Sequence, residues 1–307
     1  MHAVLSQDIG VNSDELGGLL GSFALHLRGE RKSPQTIKSY TIGVRLFLAW
    51  CEREGIDPAL DRPTVDKWIA AGLDEGAEPA TARARQLGVR RFSAWLAEEG
   101  EIPADELAHM SPPKLDVKTV PVLTDDQLRA MIAACKGPRL MDKRDEALLR
   151  FMAETGARAG EVLALQLGDV NLQAGTAVIR RGKGGKARTV PFGPRTGAAI
   201  DRYLRARRHH RLASAPALWL GDRGKGFAYY GLWDALRRRA QAAGIDRFHP
   251  HMMRHTAADR WLTAGGSEGG LMAVAGWTRP DMLMRYTRAR AEQRAADEAR
   301  RLNLGDL

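Results

Sequence analysis

The stretch His249-Pro250-His251-Met252-Met253-Arg254-His255 places three imidazoles and a guanidinium within seven residues, more polar chemistry than a helix needs in order to pack. His251 and Arg254 are three apart, so on a helix they share one face. Pro250 suits the first turn of a helix, where its missing N–H costs nothing. His251 and Arg254 then lie near the positive end of the helix dipole, a setting that suits an anion, with a phosphate as the natural candidate. The rival is a metal site, with His251 and His255 at i and i+4 and His249 nearby. No acidic residue occurs inside the motif and Arg254 would put a positive charge beside the metal, which disfavours that rival.

Around this stretch the sequence reads as helix over 251–264, preceded by helices over 195–211 and 229–243 and followed by helices over 268–275 and about 280–302. Upstream, residues 170–192 change period. β-type residues are separated by turns at Gln173-Ala174-Gly175 and Gly182-Lys183-Gly184-Gly185, which predicts three short antiparallel strands over 169–172, 176–181 and 187–192. Thr124-Asp125-Asp126 caps another helix, and helices over 142–154 and 159–165 flank a break at Thr155-Gly156. The N-terminal part, 12–101, reads as a helical bundle. Its helices begin near Asn12, Ser33-Pro34, Asp61 and Thr81, the first with a capping-box-like Asn12/Glu15 pair. Pro103, Pro112, Pro113 and Pro121 punctuate residues 102–121 with Lys114 and Lys118 between them, a linker composition. The expected fold is mainly α with a small three-stranded antiparallel sheet (α+β). It comprises a flexible arm over 1–11, a helical domain over 12–101, a linker over 102–121 and a second domain over 122–307.

The bulk composition is consistent with this. At 307 residues the chain is long enough for roughly two domains. A formal net charge of +10 favours a polyanionic partner. An aromatic content of 6% makes a single-strand binder that works by base stacking less suitable. The two cysteines, Cys51 and Cys135, build neither a disulfide framework nor a zinc site; each falls in an apolar helical pattern and reads as buried. A reducing, cytoplasmic setting follows as an expectation. No apolar run approaches a membrane span, and Met1 to Val11 lacks the pattern of a secretion signal.

Three further stretches carry chemistry, each ambiguous alone. In Thr155-Gly156-Ala157-Arg158-Ala159-Gly160-Glu161, Arg158 reads as sitting in the first turn of the next helix with Glu161 one turn further on the same face, which is also the pattern of a common surface ion pair. The hairpin Arg180-Arg181-Gly182-Lys183-Gly184-Gly185-Lys186-Ala187-Arg188 has Gly-Lys repeats but neither the spacing nor the Ser/Thr of a nucleotide-binding loop. It reads as a turn presenting lysine to DNA, or as a merely charged turn. Gly276-Trp277 is followed by Tyr286 among Arg285, Arg288 and Arg290, where positive charge makes a phenolate easier to form. On the helix over 81–99, Arg83 and Arg90 lie opposite Val89, Phe92 and Leu96, on a face that is either solvated or phosphate-contacting.

Taken together and in order, Arg158, the Lys183 hairpin, His251-x-x-Arg254, Gly276-Trp277 and Tyr286 closely resemble the tyrosine recombinase (phage integrase) family, in an Xer-like two-domain layout. Ser33-Pro34-Gln35-Thr36 and Tyr40 extend the resemblance to the family's core-binding helical bundle. The resemblance implies a site-specific recombinase that cleaves and rejoins duplex DNA, most plausibly as the integrase of a phage or other mobile element. Tyr286 would attack the scissile phosphate to give a 3′-phosphotyrosine. Arg158 and Arg254 would clamp the non-bridging oxygens, and Lys183 would protonate the departing 5′-oxygen. His251 would position or deprotonate the nucleophile, and Glu161 would brace the cluster. Trp277 stands where the family more often has histidine, and its indole N–H donates but cannot shuttle a proton, so its expected role is orientation.

No cofactor, nucleotide or metal is implied. DNA contacts are expected from Arg83, Arg90, Lys114, Lys118, Arg180, Arg181, Lys186 and Arg188. The partners implied are double-stranded DNA with two core half-sites and a homotetramer on synapsed DNA. The chain would be a monomer in solution, with a directionality factor as a further partner and no membrane. The implied location is the nucleoid of a bacterial host. The chain leaves no room for an extra N-terminal arm-site domain, and its last residues are expected to dock on a neighbouring protomer. The competing readings are a DNA-binding regulator that keeps the fold without catalysis, and a type IB topoisomerase-like activity without defined sites.

Overall fold

The computed structural model describes residues 13–115, 121–180, 187–222, 224–279, 283, 296 and 299–301. The chain forms two compact units, residues 1–118 and 119–307.

The first unit is built from four helices: α1 (Ser13–Gly29), α2 (Pro34–Glu54), α3 (Arg62–Asp74) and α4 (Pro79–Glu98). Their starts follow from local chemistry. Ser33 caps α2 by accepting from the Thr36 N–H at 3.1 Å, and Asp61 caps α3 through the Thr64 N–H at 2.8 Å. The inward stripes Leu16/Leu20/Phe23/Leu27, Val44/Phe47/Cys51, Val65/Trp68 and Val89/Phe92/Leu96 merge into one core. Helices α2 and α4 cross with backbone against backbone. A Cβ on Gly43 would lie 2.7 Å from the Arg85 carbonyl oxygen, and one on Gly88 would lie 2.7 Å from that of Tyr40.

The linker expected over 102–121 is corrected in its first half. Leu107 and Met110 are buried in this core. Arg90 donates to the carbonyls of Leu107 and Ala108, Gln86 donates to that of Ser111, and Ser93 meets Asp105 at 2.6 Å. The prolines there shape a strap laid along α4, and proline composition alone does not distinguish a strap from a free connector.

The second unit carries α5 (Asp125–Ala133), α6 (Leu140–Thr155), α7 (Ala159–Leu163), β1 (Val170–Asn171), β2 (Thr176–Ile179), β3 (Arg188–Pro191), α8 (Pro194–Arg207), α9 (Tyr229–Ala242), α10 (Pro250–Thr263) and α11 (Glu268–Ala275). The strands form an antiparallel sheet in the order β1-β2-β3, with Ala177 opposite Val190 and Ile179 opposite Arg188. The fold is therefore mainly helical with a small three-stranded antiparallel sheet. Leu148, Leu149, Phe151 and Met152 make α6 the centre of its core.

The same helix buries a charge network. Arg144 donates to Asp145 at 2.7 Å, and Arg239 from α9 reaches Asp145 and Asp142 at 2.9 and 2.8 Å. Helix α8 stops at Arg207, four residues before its expected end. The guanidinium of Arg207 instead gathers the carbonyls of Ala213, Ala215, Ala217 and Leu218, which folds the following segment back. The expected helix over about 280–302, the N-cap Asn12, the arm over 1–11 and the last residues, 302–307, fall almost wholly outside the described residues.

Candidate active site

Helix α6 ends at Thr155 because Gly156 takes the left-handed conformation, φ 61° and ψ 16°. The turn brings the chain against α10, where a Cβ on Gly156 would lie 3.3 Å from the Ala257 Cβ. Arg158 was expected inside the first turn of the next helix. It is instead the extended N-cap of α7, φ −67° and ψ 148°. The reason is Glu161, whose Oε2 accepts from the Arg158 backbone N–H at 2.9 Å while its Oε1 accepts from Arg158 Nη1 at 3.0 Å. The Arg158 side chain remains 31% exposed against 6% for Glu161, so the guanidinium is held from behind and open in front.

Arg188 completes the carboxylate's shell. Its Nη1 and Nη2 donate to Glu161 Oε1 and Oε2 at 3.1 and 2.7 Å, and its Nε donates to the Val274 carbonyl at 2.8 Å. Its side chain is only 12% exposed. The expectation of Arg188 as a DNA-surface contact is thus corrected: it is a half-buried member of this cluster. Burial alone would push the Glu161 carboxyl up. The hydrogen bonds from Arg188 and from the Arg158 backbone, with both guanidinium charges, hold it below the usual carboxylate range.

Helix α10 begins as expected, with His249 at the N-cap and Pro250 in the first turn. It is buried on nearly every side from Met252 to Ala258, which is why its sequence shows no amphipathic stripe. Arg254 is 2% exposed. Its Nη1 donates to the Gly156 carbonyl at 2.7 Å and its Nη2 to the Ala275 carbonyl at 2.7 Å. Both acceptors lie at helix C-termini, the negative ends of their dipoles, which favours a cation between them. The Arg254 Cζ stands 5.2 Å from the Trp277 ring centroid. Trp277 follows Gly276, left-handed at φ 65° and ψ 44°, which ends α11. His251 is exposed one turn before Arg254 and packs edge-on against His255, with ring centroids 4.4 Å apart.

The structure thus gathers Arg158, Glu161, Arg254 and Trp277, with His251 on the same helix as Arg254. Lys183 and Tyr286 lie outside the described residues, as do Lys118, Arg181 and Lys186. Of the remaining expected DNA contacts, Arg83 and Lys114 are exposed. Arg90 is committed to the two carbonyls of the strap, which corrects its reading as a residue of the solvent face. Arg180 is paired with the buried Asp169. Sequence reasoning assigned Arg188 to DNA contact and missed its place in the cluster, although the sequence carries a signal for it. In Arg188-Thr189-Val190-Pro191 the buried Val190 shares its strand face with Arg188, and alternation turns both inward.

Arg158 and Arg188 share the Glu161 carboxylate while Arg254 is held on the Gly156 carbonyl two residues before Arg158, so the cluster is net positive, a seat for an anion with donors fixed before it arrives. Among the described residues no three of His, Cys, Asp and Glu form a metal-holding group, and no helix is long and apolar enough to cross a membrane.

Comparison with known proteins converges on the same chemistry. The sequence model of the phage integrase family matches residues 121–293. Tyrosine recombinase XerD of Bifidobacterium longum is 30% identical over 289 residues, 89% of this chain and 93% of the relative. Tyrosine recombinase XerC of Azotobacter vinelandii is 31% identical over 250 residues, 79% of this chain and 82% of the relative. The XerH site-specific recombinase bound to a palindromic difH substrate shares the fold with a TM-score of 0.72 at 17% identity, over 94% of this chain and 84% of that one. The Tn1549 transposon integrase in complex with transposon right end DNA does so with a TM-score of 0.70 at 17% identity, over 94% and 99%.

The family model and the recombinase relatives define the class of protein, a DNA-recombining enzyme, and the fold agrees with it. The family match over more than half of the chain, with a XerD relative along nearly all of it, makes the assignment specific: this chain belongs to the phage integrase family and is a tyrosine-type site-specific recombinase.

Proposed function

We propose that the enzyme cleaves and rejoins duplex DNA through a 3′-phosphotyrosyl intermediate on Tyr286. The observation that carries this reading is the pinning of Arg254 to the Gly156 carbonyl, two residues before Arg158. It ties the Arg254 guanidinium to the turn that presents Arg158, an arrangement suited to the two non-bridging oxygens of a single phosphate. Their charge compensates the negative charge that grows on those oxygens as Tyr286 attacks. Lys183 donates the proton to the leaving 5′-oxygen, so the strand end departs as a neutral hydroxyl. His251, exposed at the start of α10, positions the nucleophile or takes its proton. Trp277 packs beside Arg254 and orients the cluster. The phosphotyrosine conserves the energy of the broken phosphodiester, so attack by a 5′-hydroxyl restores a DNA strand and frees the phenol without an added energy source.

The DNA partner is a duplex with two core half-sites, joined in a synapse of four protomers; the solved XerH and Tn1549 structures are of complexes with DNA. Exposed Arg83 and Lys114, with Lys118, Arg181 and Lys186, supply phosphate contacts. The biological role proposed is integration of a mobile element, aided by a directionality factor. The XerD and XerC names of the relatives favour a second reading, an Xer-type recombinase. Supplying two sites on one plasmid or on two separate DNAs distinguishes them. An integrase joins separate DNAs, whereas an Xer-type enzyme resolves paired sites on one molecule. The catalytic reading itself is tested by covalent trapping on a nicked site. An adduct that survives denaturation supports it, and binding without an adduct supports a non-catalytic regulator.

A further inference from the structure

Arg188 lies outside the residue set usually asked to touch the scissile phosphate, yet it is the meeting point of three elements. From the start of β3 it grips both oxygens of Glu161 on α7 and the Val274 carbonyl near the end of α11. It also fills the space beneath Gly276, where an added Cβ would lie 3.0 Å from its Cζ, Nε and Nη1. We propose that Arg188 is a positioning residue for cleavage. By occupying Glu161 it limits how far that carboxylate draws Arg158, and so keeps the Arg158 guanidinium turned toward the DNA phosphate.

Each Glu161 oxygen accepts one bond from Arg158 and one from Arg188, so the two arginines share it evenly. Arg158 therefore holds Glu161 through its backbone N–H and a single Nη1, leaving the rest of its fork for a ligand. Without Arg188, the vacated lone pairs and the undivided negative charge favour a two-pronged Arg158–Glu161 pair. That pairing consumes the fork and rotates it off the phosphate. A role in packing alone does not account for the charges, because replacing a whole buried ion pair by apolar side chains is often neutral in stability. Arg188 also ties this pair to the turn before Trp277, so its loss loosens two sides of the cluster together.

This proposal rests on the reading of Arg158 as a phosphate clamp, and the experiment separates the two. Single-turnover cleavage is measured for wild type, Arg188→Met, Glu161→Gln, the double variant and Arg158→Ala. Each is tested on an ordinary nicked site and on one whose scissile phosphate is a methylphosphonate, which carries no charge for Arg158 to neutralise. Melting curves and DNA affinity are recorded alongside.

On the phosphate, Arg188→Met is expected to cleave roughly 100-fold more slowly than wild type, with DNA affinity retained. On the methylphosphonate the gap between wild type and Arg188→Met should close, as should that of Arg158→Ala. The double variant should be no slower than Glu161→Gln, because Arg188 acts through that carboxylate. If Arg188→Met does not fold, Arg188→Lys, which keeps the charge but cannot grip both Glu161 oxygens, carries the same comparison. Relief of Arg158→Ala without relief of Arg188→Met would overturn the proposal and leave the clamp intact. No relief of Arg158→Ala would overturn the clamp itself. Additive losses in the double variant would also overturn the proposal.

Discussion

The Nη1 of Arg254 donates to the carbonyl oxygen of Gly156 at 2.7 Å, across 98 residues of sequence. That bond joins helix α10 to the turn that leads into Arg158, so it fixes the backbone there relative to Arg254. Its partner bond to Ala275 extends the unit to the turn before Trp277. A charged side chain held by two carbonyls at 2% exposure is arranged for geometry, because a surface arginine would bind a phosphate with less burial cost.

Replacing Arg254 should therefore affect both chemistry and stability. Arg254→Lys keeps the charge but cannot span both carbonyls, and strand cleavage should fall by about 100- to 1000-fold with site binding largely kept. Arg254→Ala strands two buried acceptors and should cost about 1–3 kcal/mol for each in urea unfolding. Near-normal cleavage by Arg254→Lys would show that the fork geometry is unimportant.

Acid should weaken the fold through particular carboxylates. Asp142, Glu146 and Glu161 would all be raised by burial, but hydrogen bonds from arginines more than reverse this, and each sits below its ordinary value. A lowered folded value means that the unfolded chain binds protons first. Their contribution is therefore complete above about pH 4.5 and is lost as the pH falls through the folded values. The melting temperature should drop as the pH is taken from 6 toward 3. The gap between wild type and Glu161→Gln should narrow over the same range. A constant gap would mean that the Glu161 charge contributes nothing to stability.

The crossing of α2 and α4 allows no side chain at its contact points. Gly43→Ala and Gly88→Ala each place a methyl 2.7 Å from a backbone oxygen. Each should destabilise the N-terminal unit by about 1–3 kcal/mol. Gly29→Ala, with nothing within 4 Å, is the control expected to be neutral or stabilising. Equal effects at all three positions would contradict the close crossing.

Burial pushes the Cys135 thiol up to about 12 and the Cys51 thiol up to about 11. Both should resist iodoacetamide at neutral pH in the folded enzyme and react on unfolding. Rapid native labelling of Cys135 would show that the α5–α6 core opens readily.

Much of this was legible beforehand, for reasons visible in single residues. Ser33-Pro34, Asp61 and Thr124 announce helix starts because capping is local chemistry. His251-x-x-Arg254 reads as one face because helical spacing is fixed. What escaped depended on distant partners. Arg158 is an N-cap, not a first-turn residue, because of how Glu161 folds back. Arg90 looked solvent-facing on its own helix, and only the strap at 107–108 claims it. Arg188 looked like one more hairpin cation, although the alternation through Val190 turned it inward. The Gly156 and Ala275 carbonyls that hold Arg254 are backbone atoms, which no side-chain motif reports.

The central claim is that Tyr286 becomes covalently joined to DNA within this arginine frame. The most direct measurement uses a nicked duplex from the DNA flanking the gene, with wild type and Tyr286→Phe compared on a denaturing gel. The account predicts a covalent protein–DNA adduct with wild type and none with Tyr286→Phe, which still binds the duplex. An adduct of equal yield with Tyr286→Phe would contradict it and place the nucleophile elsewhere, with the exposed Tyr229 and Tyr230 as the first residues to test.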